Sequence, residues 1–412
     1  MFATNLRLRD FLVLTFLATV KCECRKSYTT ICDNFDDFKR YKDIDTMKTL
    51  IIGSEHKEVN QVPVNLMIDL AYDKYHRLSA LTIVRAISEL KLARSVRCTY
   101  RDTPLKYFTL YGNNLKVIEQ NNFPVLPLKV LSLVNNKLEA VRALSFDSHP
   151  IEDIDLSDNF LEVIERRALP LTNVTKIITV KNNRLSHIED HSFPLALESL
   201  NLDGNRLRYM QPEVLSNLLA LKELALSHNN FREMPPIKHL TELIVFDISF
   251  NFITNVEDGI FKNMNKLKLI DLSNNNIAQP DILKSLNTVR SQPMLTISLA
   301  LNRLKDLDFG NVSFQRQTYI LYGNPWDCNK WNHIKRNLLG HESKCDYEGP
   351  RSEDRPYCVS YSQESGDFLS SSREQEIKKF QELIATGERN FWCLWETRRN
   401  KWIFPINFGC AG

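Results

Sequence analysis

The chain has 412 residues, of which 53 are Lys or Arg and 50 are Asp or Glu, so its formal net charge is only +3. A charge so evenly balanced gives no general attraction to nucleic acid or to an anionic membrane, and the sequence indicates neither as a partner. The 43% hydrophobic content and the 12 glycines also argue against a disordered or fibrous protein.

The first segment, residues 1–22, has the character of a secretory signal peptide. Arg7 and Arg9 precede an apolar run that ends at Val20 and is too short to span a bilayer. We expect cleavage after Cys22. No later stretch reaches the roughly 18 apolar residues of a membrane span, and the end of the sequence lacks the hydrophobic tail of a glycolipid anchor signal. The sequence therefore predicts a secreted, extracellular protein.

The cysteines support an oxidising compartment. Of the nine in the sequence, eight remain after removal of Cys22, and most of these lie near the two ends of the mature chain. The disulfide candidates are Cys24, Cys32, Cys328, Cys345, Cys358, Cys393 and Cys410. Cys98 either pairs with a distant tail cysteine or stays a buried thiol; in the second case, which we favour, one tail cysteine is left for a partner chain. No cysteine or histidine group has the spacing of a zinc site.

We expect an N-terminal cap over residues 23–46 and a repeat solenoid over residues 47–324, because the first unit of a solenoid needs its apolar face covered. Two degenerate repeats open the solenoid. Leu50 and Ile52 mark the first of them, and Leu81 and Ile83 mark the second.

From Leu105 onward the sequence repeats the pattern Leu-x-x-Leu-x-Leu-x-x-Asn-x-Leu, with a spacing of 22 to 24 residues and once of 27. Its asparagines are Asn113, Asn136, Asn159, Asn183, Asn205, Asn229, Asn251, Asn275, Asn302 and Asn324. This is the leucine-rich repeat pattern. It predicts an α/β solenoid of about ten to twelve repeats, a horseshoe with a parallel concave β-sheet, capped at both ends.

Each part of the repeat has a physical role. The alternating central leucines predict a short strand with one buried face, and stacking of these strands makes a parallel sheet. The asparagine can satisfy backbone groups buried in the turn that follows the strand. A second apolar column, expected on the convex side, contains Phe123, Phe146, Leu169, Phe193, Leu215 and Phe261. Pro235 and Pro236 predict a non-helical arm in their repeat.

The solenoid ends at Asn324-Pro-Trp-Asp-Cys328, which resembles the start of the cysteine-rich C-terminal cap of extracellular leucine-rich repeat proteins. We assign residues 325–412 to this cap and its tail. Within the tail, Glu374 to Thr386 reads as a short amphipathic helix. The aromatic stretch after Arg389 is either the small core of the cap or a patch for a partner.

No catalytic motif is present, neither a phosphate-binding glycine loop nor a metalloprotease or nucleophile-elbow signature, so the sequence predicts a non-enzymatic protein without a cofactor. Asp155, Asp247 and Asp271 share one outward strand position. Two such carboxylates on adjacent strands have the pattern of a calcium site or of a general-acid pair. We interpret them as ordinary repeat residues and predict no metal site.

Two sequons predict N-linked glycosylation on connecting segments. Asn173 is followed by Val174 and Thr175, and Asn311 is followed by Val and Ser313. In a secreted protein we expect both asparagines to be modified.

The concave face of the predicted sheet is the expected binding surface. Its outward positions are Tyr107, Thr109, Tyr111, Val130, Ser132, Val134, Asp153, Asp155, Lys181, Asn201, Asp203, Glu223, Asp247 and Asp271. The early positions are aromatic and apolar, which indicates a contact patch, and the middle is acidic, which favours a protein ligand with basic character.

A signal peptide, about ten repeats, a cysteine-rich cap and a short cysteine-bearing tail together resemble the secreted leucine-rich immune proteins of insects. In mosquitoes such proteins pair through disulfides and bind complement-like thioester proteins. The resemblance therefore implies innate-immune recognition and a disulfide-linked partner. The alternative is an extracellular matrix or developmental adhesion protein; such proteins usually have four cysteines in the N-terminal cap, where this chain has two.

Overall fold

The structure is a computed structural model, and it describes only part of the chain. The described residues are 29–32, 48–53, 77–85, 104–119, 123, 126–146, 149–286, 295–309, 318–321, 323–327, 330, 333 and 358–359. Outside them lie the signal peptide, the predicted helix of the tail, the aromatic stretch, Asn311, and Cys24, Cys98, Cys328, Cys345, Cys393 and Cys410. Cys32 and Cys358 belong to described strands. The backbone divides into two compact units, residues 1–224 and 225–412.

The first unit is built from short strands that follow the predicted repeats. Its elements are β1 (Thr29–Cys32), β2 (Thr49–Gly53), β3 (Ala80–Val84), β4 (Tyr107–Tyr111), β5 (Val117–Ile118), β6 (Val130–Ser132), β7 (Ala140–Val141), β8 (Asp153–Asp155), β9 (Val163–Ile164), β10 (Ile177–Thr179), β11 (His187–Ile188), β12 (Ser199–Asn201) and helix α1 (Pro212–Leu215). Strands β1, β2, β3, β4, β6, β8, β10 and β12 form a parallel sheet in that order. Both degenerate repeats therefore form strands, and the predicted N-terminal cap contributes β1.

Strand β13 (Glu223–Ala225) lies at the boundary between the units. The second unit contains β14 (Val245–Asp247), β15 (Leu269–Asp271), helix α2 (Ile282–Leu286), β16 (Thr296–Ser298), β17 (Thr318–Ile320), β18 (Trp326–Asp327) and β19 (Cys358–Val359). Strands β14 to β17 are consecutive parallel neighbours. Each unit is thus a parallel β-sheet solenoid, which confirms the fold class that the repeat predicts.

The core of the first unit is formed by the central apolar residue of each strand. Phe108, Leu131, Ile154, Ile178 and Leu200 are each no more than 1% exposed. They stand opposite one another in the parallel register of neighbouring strands. Burial of side chains of this size stabilises the folded state by roughly 2 kcal/mol each.

The second apolar column is buried as predicted. Phe146, Leu215 and Phe261 have no exposed surface, and Phe123 is only 6% exposed. The rings of Phe123 and Phe146 are 5.4 Å apart between centroids, so the column is continuous between these two repeats. The segment that contains Pro235 and Pro236 is non-helical, as predicted.

The repeat asparagines connect each turn of the solenoid to the one before it. Asn159 is 3% exposed, and its Nδ2 donates to the carbonyl oxygens of Leu133, Leu156 and Ser157, each at 3.0 Å. Its Oδ1 accepts from the backbone N–H of Leu138 at 3.0 Å. The same arrangement recurs at Asn183, Asn205, Asn251, Asn275 and Asn302. The predicted role of these side chains is confirmed.

The residue before the repeat asparagine takes a left-handed backbone conformation. Asn135 and Asn182 have φ values of 56° and 52°, and Asn tolerates this region well. His228 and Phe250 also have positive φ values, 52° and 53°. The left-handed conformation is costly for a residue with a ring side chain. The positive φ at these positions is therefore imposed by the tight turn that leads into the asparagine, whatever the side chain.

Candidate functional site

The outward side chains of β4, β6, β8 and β10 form the candidate binding surface, which we call the strand face. It consists of Tyr107, Thr109, Tyr111, Val130, Ser132, Asp153, Asp155, Ile177 and Thr179. On β4 the alternation is plain, since Tyr107 is 43% exposed while its neighbour Phe108 is fully buried. The strands therefore present one row of side chains to solvent and the other to the core.

An interrupted apolar row crosses the strand face. Tyr107 lies opposite Val130, Val130 lies opposite Asp153, and Asp153 lies opposite Ile177 in the parallel register. Ile177 is 37% exposed. It is absent from the positions predicted from sequence, because Thr175 breaks the apolar template of its repeat; the alternation around buried Ile178 was the signal that could have found it.

Two predicted positions contribute little surface. Ser132 is 8% exposed and Val134 is 7% exposed, so both are buried although they occupy outward places in the repeat. The usable surface is thus narrower than the pattern predicts. It is concentrated on Tyr107, with half-buried Val130 and Asp153 beside it.

The acidic residues in the middle of the strands have a local structural role. Asp155 Oδ1 accepts from the backbone N–H of Ser157 at 2.9 Å and from its hydroxyl at 2.5 Å. The equivalent backbone bonds, each of 2.9 Å, join Asn201 to Asp203, Asp247 to Ser249, and Asp271 to Ser273. These side chains cap the end of their own strand, and this local bond explains the repeated Ile-Asp-Leu-Ser sequence at Asp155 and Asp271 without a ligand.

Asp247 and Asp271 are nearest neighbours across β14 and β15. Burial raises the pKa of Asp271 above its ordinary value, and hydrogen bonds from Ser273 and from the Ser298 side chain oppose that rise. Across the described part of the chain, no group of three or more His, Cys, Asp or Glu residues is arranged to hold a metal ion.

Charged side chains alternate at the start of successive strands. Lys222 Nζ lies 2.5 Å from Glu198, and Lys176 Nζ lies 3.4 Å from the same carboxylate. The hydrogen bond from Lys222 lowers the pKa of Glu198. Next to this row, the Ser199 hydroxyl donates to the predicted site residue Glu223 at 3.0 Å. The remaining predicted polar positions, Thr109, Tyr111, Lys181 and Asp203, are half-buried.

Aromatic residues that the sequence analysis did not single out lie beside the repeat turns. In the second unit His228 and Phe250 stack with ring centroids 4.1 Å apart and an interplanar angle of 14°, and Phe252 is 50% exposed. In the first unit the Arg184 guanidinium lies 4.3 Å from the ring centroid of Phe160. Only the tertiary structure brings these pairs together, because their members come from successive repeats.

A lateral groove of about 750 Å³ runs along β7 and β9 in the first unit. Its walls carry both signs of charge, and Arg142 is paired with Glu165 at 2.8 Å. Arg166, which also lines the groove, is paired with Asp190. Three arginines and four glutamates line the groove, so neither sign of charge dominates.

No helix in the described residues is long and apolar enough to cross a membrane.

Comparisons with known proteins agree with this architecture. The sequence pattern of the family described as leucine rich repeat matches residues 172–231 and 239–281. Among solved structures, a leucine-rich repeat protein of Leptospira interrogans is similar at 18% identity, over 68% of this chain and 74% of that one, with a TM-score of 0.53. A chain from the octameric complex of Latrophilin 3, Unc5D and the leucine-rich repeat part of FLRT2 is similar at 21% identity, over 70% of this chain and 87% of that one, with a TM-score of 0.55.

The sequence matches no curated protein. At these identities the structural similarity concerns the fold. The repeat pattern, the parallel sheet and the asparagine hydrogen bonds together define a leucine-rich repeat solenoid.

Proposed function

We propose that this protein is a secreted, non-enzymatic scaffold that binds a protein ligand through the concave side of its solenoid, with the strand face as the contact surface. The observation that carries the proposal is the row from Tyr107 through Val130 and Asp153 to Ile177. Exposed apolar side chains beside a carboxylate suit the mixed apolar and charged surface of a protein partner.

The Asp residues bonded to their own strands do not supply the specificity in this proposal. Tyr107 is the expected anchor because an exposed Tyr contributes a large contact area with few rotatable bonds. Asp153 would then favour a basic group on the ligand. Innate-immune recognition is the role we propose, and complement-like thioester proteins are the first partner class to test, on the strength of the resemblance to insect immune proteins.

The test is retention of proteins from extracellular fluid of the source organism by the immobilised full chain. We expect Tyr107→Ala and Ile177→Ser to lose the same bound protein. Tyr209→Ala is the matched control, since Tyr209 is 60% exposed and lies outside the strands. Equal retention by all variants would contradict a ligand on the strand face.

A disulfide-linked partner through a tail cysteine is a separate part of the proposal, based on the cysteine count. Electrophoresis of the secreted protein with and without reductant measures it directly. Migration as a monomer under both conditions would remove the covalent partner and leave the strand-face proposal intact.

A further inference from the structure

The sequon at Asn173 places its two functional side chains in opposite environments. Asn173 and Val174 are exposed on a turn, and Val174 retains 43% of its surface. Thr175, the third sequon residue, has no exposed surface. The amide that would accept a sugar is therefore accessible in the folded protein, whereas the hydroxyl that completes the motif is not.

The Thr175 hydroxyl is part of the packing between two repeats. Its Oγ1 donates to the backbone carbonyl of Ile151 at 2.6 Å and lies 3.1 Å from Thr172 Oγ1. The backbone N–H of Thr175 donates to the Thr172 carbonyl at 3.2 Å and closes the turn. Ile151 holds the equivalent place in the preceding repeat, so a hydrogen bond here replaces the usual apolar contact.

We propose that Asn173 carries an N-linked glycan, and that the glycan is attached before the turn of residues 172–175 packs against Ile151. A glycosyltransferase that reads an Asn-x-Thr motif needs both side chains. In the folded chain Thr175 is buried and hydrogen-bonded, so the motif is readable only while this repeat is unfolded. The proposal rests on secretion, as proposed above.

The covalent step needs an oligosaccharide activated as a lipid diphosphate. The Asn173 amide nitrogen forms a bond to the anomeric carbon of the first sugar and loses one proton. The bond from that carbon to the diphosphate oxygen breaks, and the lipid diphosphate leaves with the electron pair. No group is oxidised or reduced.

The folded structure accommodates the product. Asn173 is exposed, precedes β10 and is not a strand-face residue, so the side chain that carries the glycan is not one of the proposed ligand contacts. Thr175 then serves twice, first as a recognition group in the unfolded segment and afterwards as a buried hydrogen-bond donor.

The site is tested by expression of the full chain in a eukaryotic secretory pathway, with Ser313→Ala to remove the second sequon. We expect a one-glycan mobility shift on glycosidase treatment, kept in Thr175→Ser and lost in Asn173→Gln and Thr175→Val. A secreted Ser313→Ala chain with no shift overturns the site. A second version of the chain with a standard secretory signal in place of residues 1–22 separates the two proposals. If only this version is exported and shows the mobility shift, secretion by the natural leader is contradicted and the glycosylation site is supported.

The order of events is tested with folded, unglycosylated full chain from a host without this modification. Solubilised oligosaccharyltransferase and lipid-linked oligosaccharide are added to it and, separately, to a peptide of residues 169–179. We expect the peptide to be modified at least 10-fold faster than the folded chain. Equal rates would overturn the requirement for modification before folding.

Discussion

The side-chain oxygen of Asn159 accepts a hydrogen bond from the backbone N–H of Leu138, 3.0 Å away and one repeat earlier in the chain. The N–H of Leu138 is buried between two turns of the solenoid, and a buried donor without a partner is costly. The side chain of one repeat thereby completes the hydrogen bonding of its predecessor. Stability is thus shared between neighbouring repeats.

We expect Asn159→Ala to lower the free energy of unfolding by about 3 kcal/mol or more, because it leaves three buried carbonyl groups and one N–H without this partner. Urea unfolding followed by circular dichroism measures the change. A loss below about 1 kcal/mol would show that water replaces the side chain.

Asn136 provides a matched comparison. Its Nδ2 also donates to three carbonyl groups, but its buried Oδ1 has no hydrogen-bond partner within the described structure. We expect Asn136→Ala to cost about 1 kcal/mol less than Asn159→Ala, since one hydrogen bond fewer is lost. Equal costs would mean that the acceptor at Asn159 contributes nothing measurable.

Substitution of Gly53 and of Gly259 by Ala distinguishes the cost of a steric clash from the cost of backbone strain. Both have positive φ values, 105° and 74°, but a Cβ on Gly53 would lie 2.0 Å from the Val84 carbonyl oxygen, whereas a Cβ on Gly259 meets nothing within 4 Å. We expect Gly259→Ala to cost about 1 kcal/mol and Gly53→Ala about 3 kcal/mol or more. Thermal unfolding of the two variants is the measurement, and similar shifts would contradict the close contact of β2 with β3.

The buried carboxyl of Asp271 gives a pH dependence of unusual sign. Its folded pKa is raised above the ordinary value of 3.8, so the folded state keeps a proton that the unfolded state releases. The contribution of this group to the free energy of unfolding therefore falls as the pH rises from 3.8 through the folded pKa. Asp271→Asn keeps an acceptor for the Ser273 N–H, and we expect it to remove this loss, so that the free energy of unfolding no longer falls as the pH rises above 3.8 on account of this group. The measurement is the free energy of unfolding of the unchanged chain and of Asp271→Asn from pH 3 to pH 8, and the same pH dependence in both would contradict the prediction.

Glu198 gives a pH dependence of stability opposite in sign to that of Asp271. Its pKa is lowered from 4.5, chiefly by the hydrogen bond from Lys222, so its contribution is present above pH 4.5 and is lost as the pH falls through the folded pKa. The carboxylate is 35% exposed, and solvent screening keeps the effect below about 1 kcal/mol. We expect Glu198→Gln to weaken the protein slightly at pH 7, and this loss should disappear once the pH is below the folded pKa of Glu198. An equal loss at low pH and at pH 7 would show that the side chain acts by packing alone.

Much of the fold could be predicted from residue spacing. The strands β4, β6, β8 and β10 each lie where the apolar alternation places them, because a period of two leaves one face of a strand to be buried. The asparagine hydrogen bonds were also predictable, because a polar side chain held between buried leucines needs a hydrogen-bond partner inside the turn.

The candidate site was less predictable. The sequence suggests Asp155 as a binding residue because it is an outward carboxylate. In the structure its Oδ1 accepts a hydrogen bond from the Ser157 N–H, and this contact is visible only once the backbone is known. Ser132 and Val134 have the correct phase for exposure, yet both are buried. Ile177 has a broken template around it and is nonetheless exposed. A pattern along one strand cannot report how closely adjacent strands cover its side chains.

The sequence by itself determined the repeat, the parallel sheet and the buried asparagines, because these depend on local periodicity and on the need to pair buried polar groups. The tertiary structure decided which outward side chains have surface, that Thr175 of the sequon is buried against Ile151, and that His228 stacks on Phe250. Those relationships join residues more than 20 positions apart, and their energies depend on the distance and environment that only the packed repeats establish.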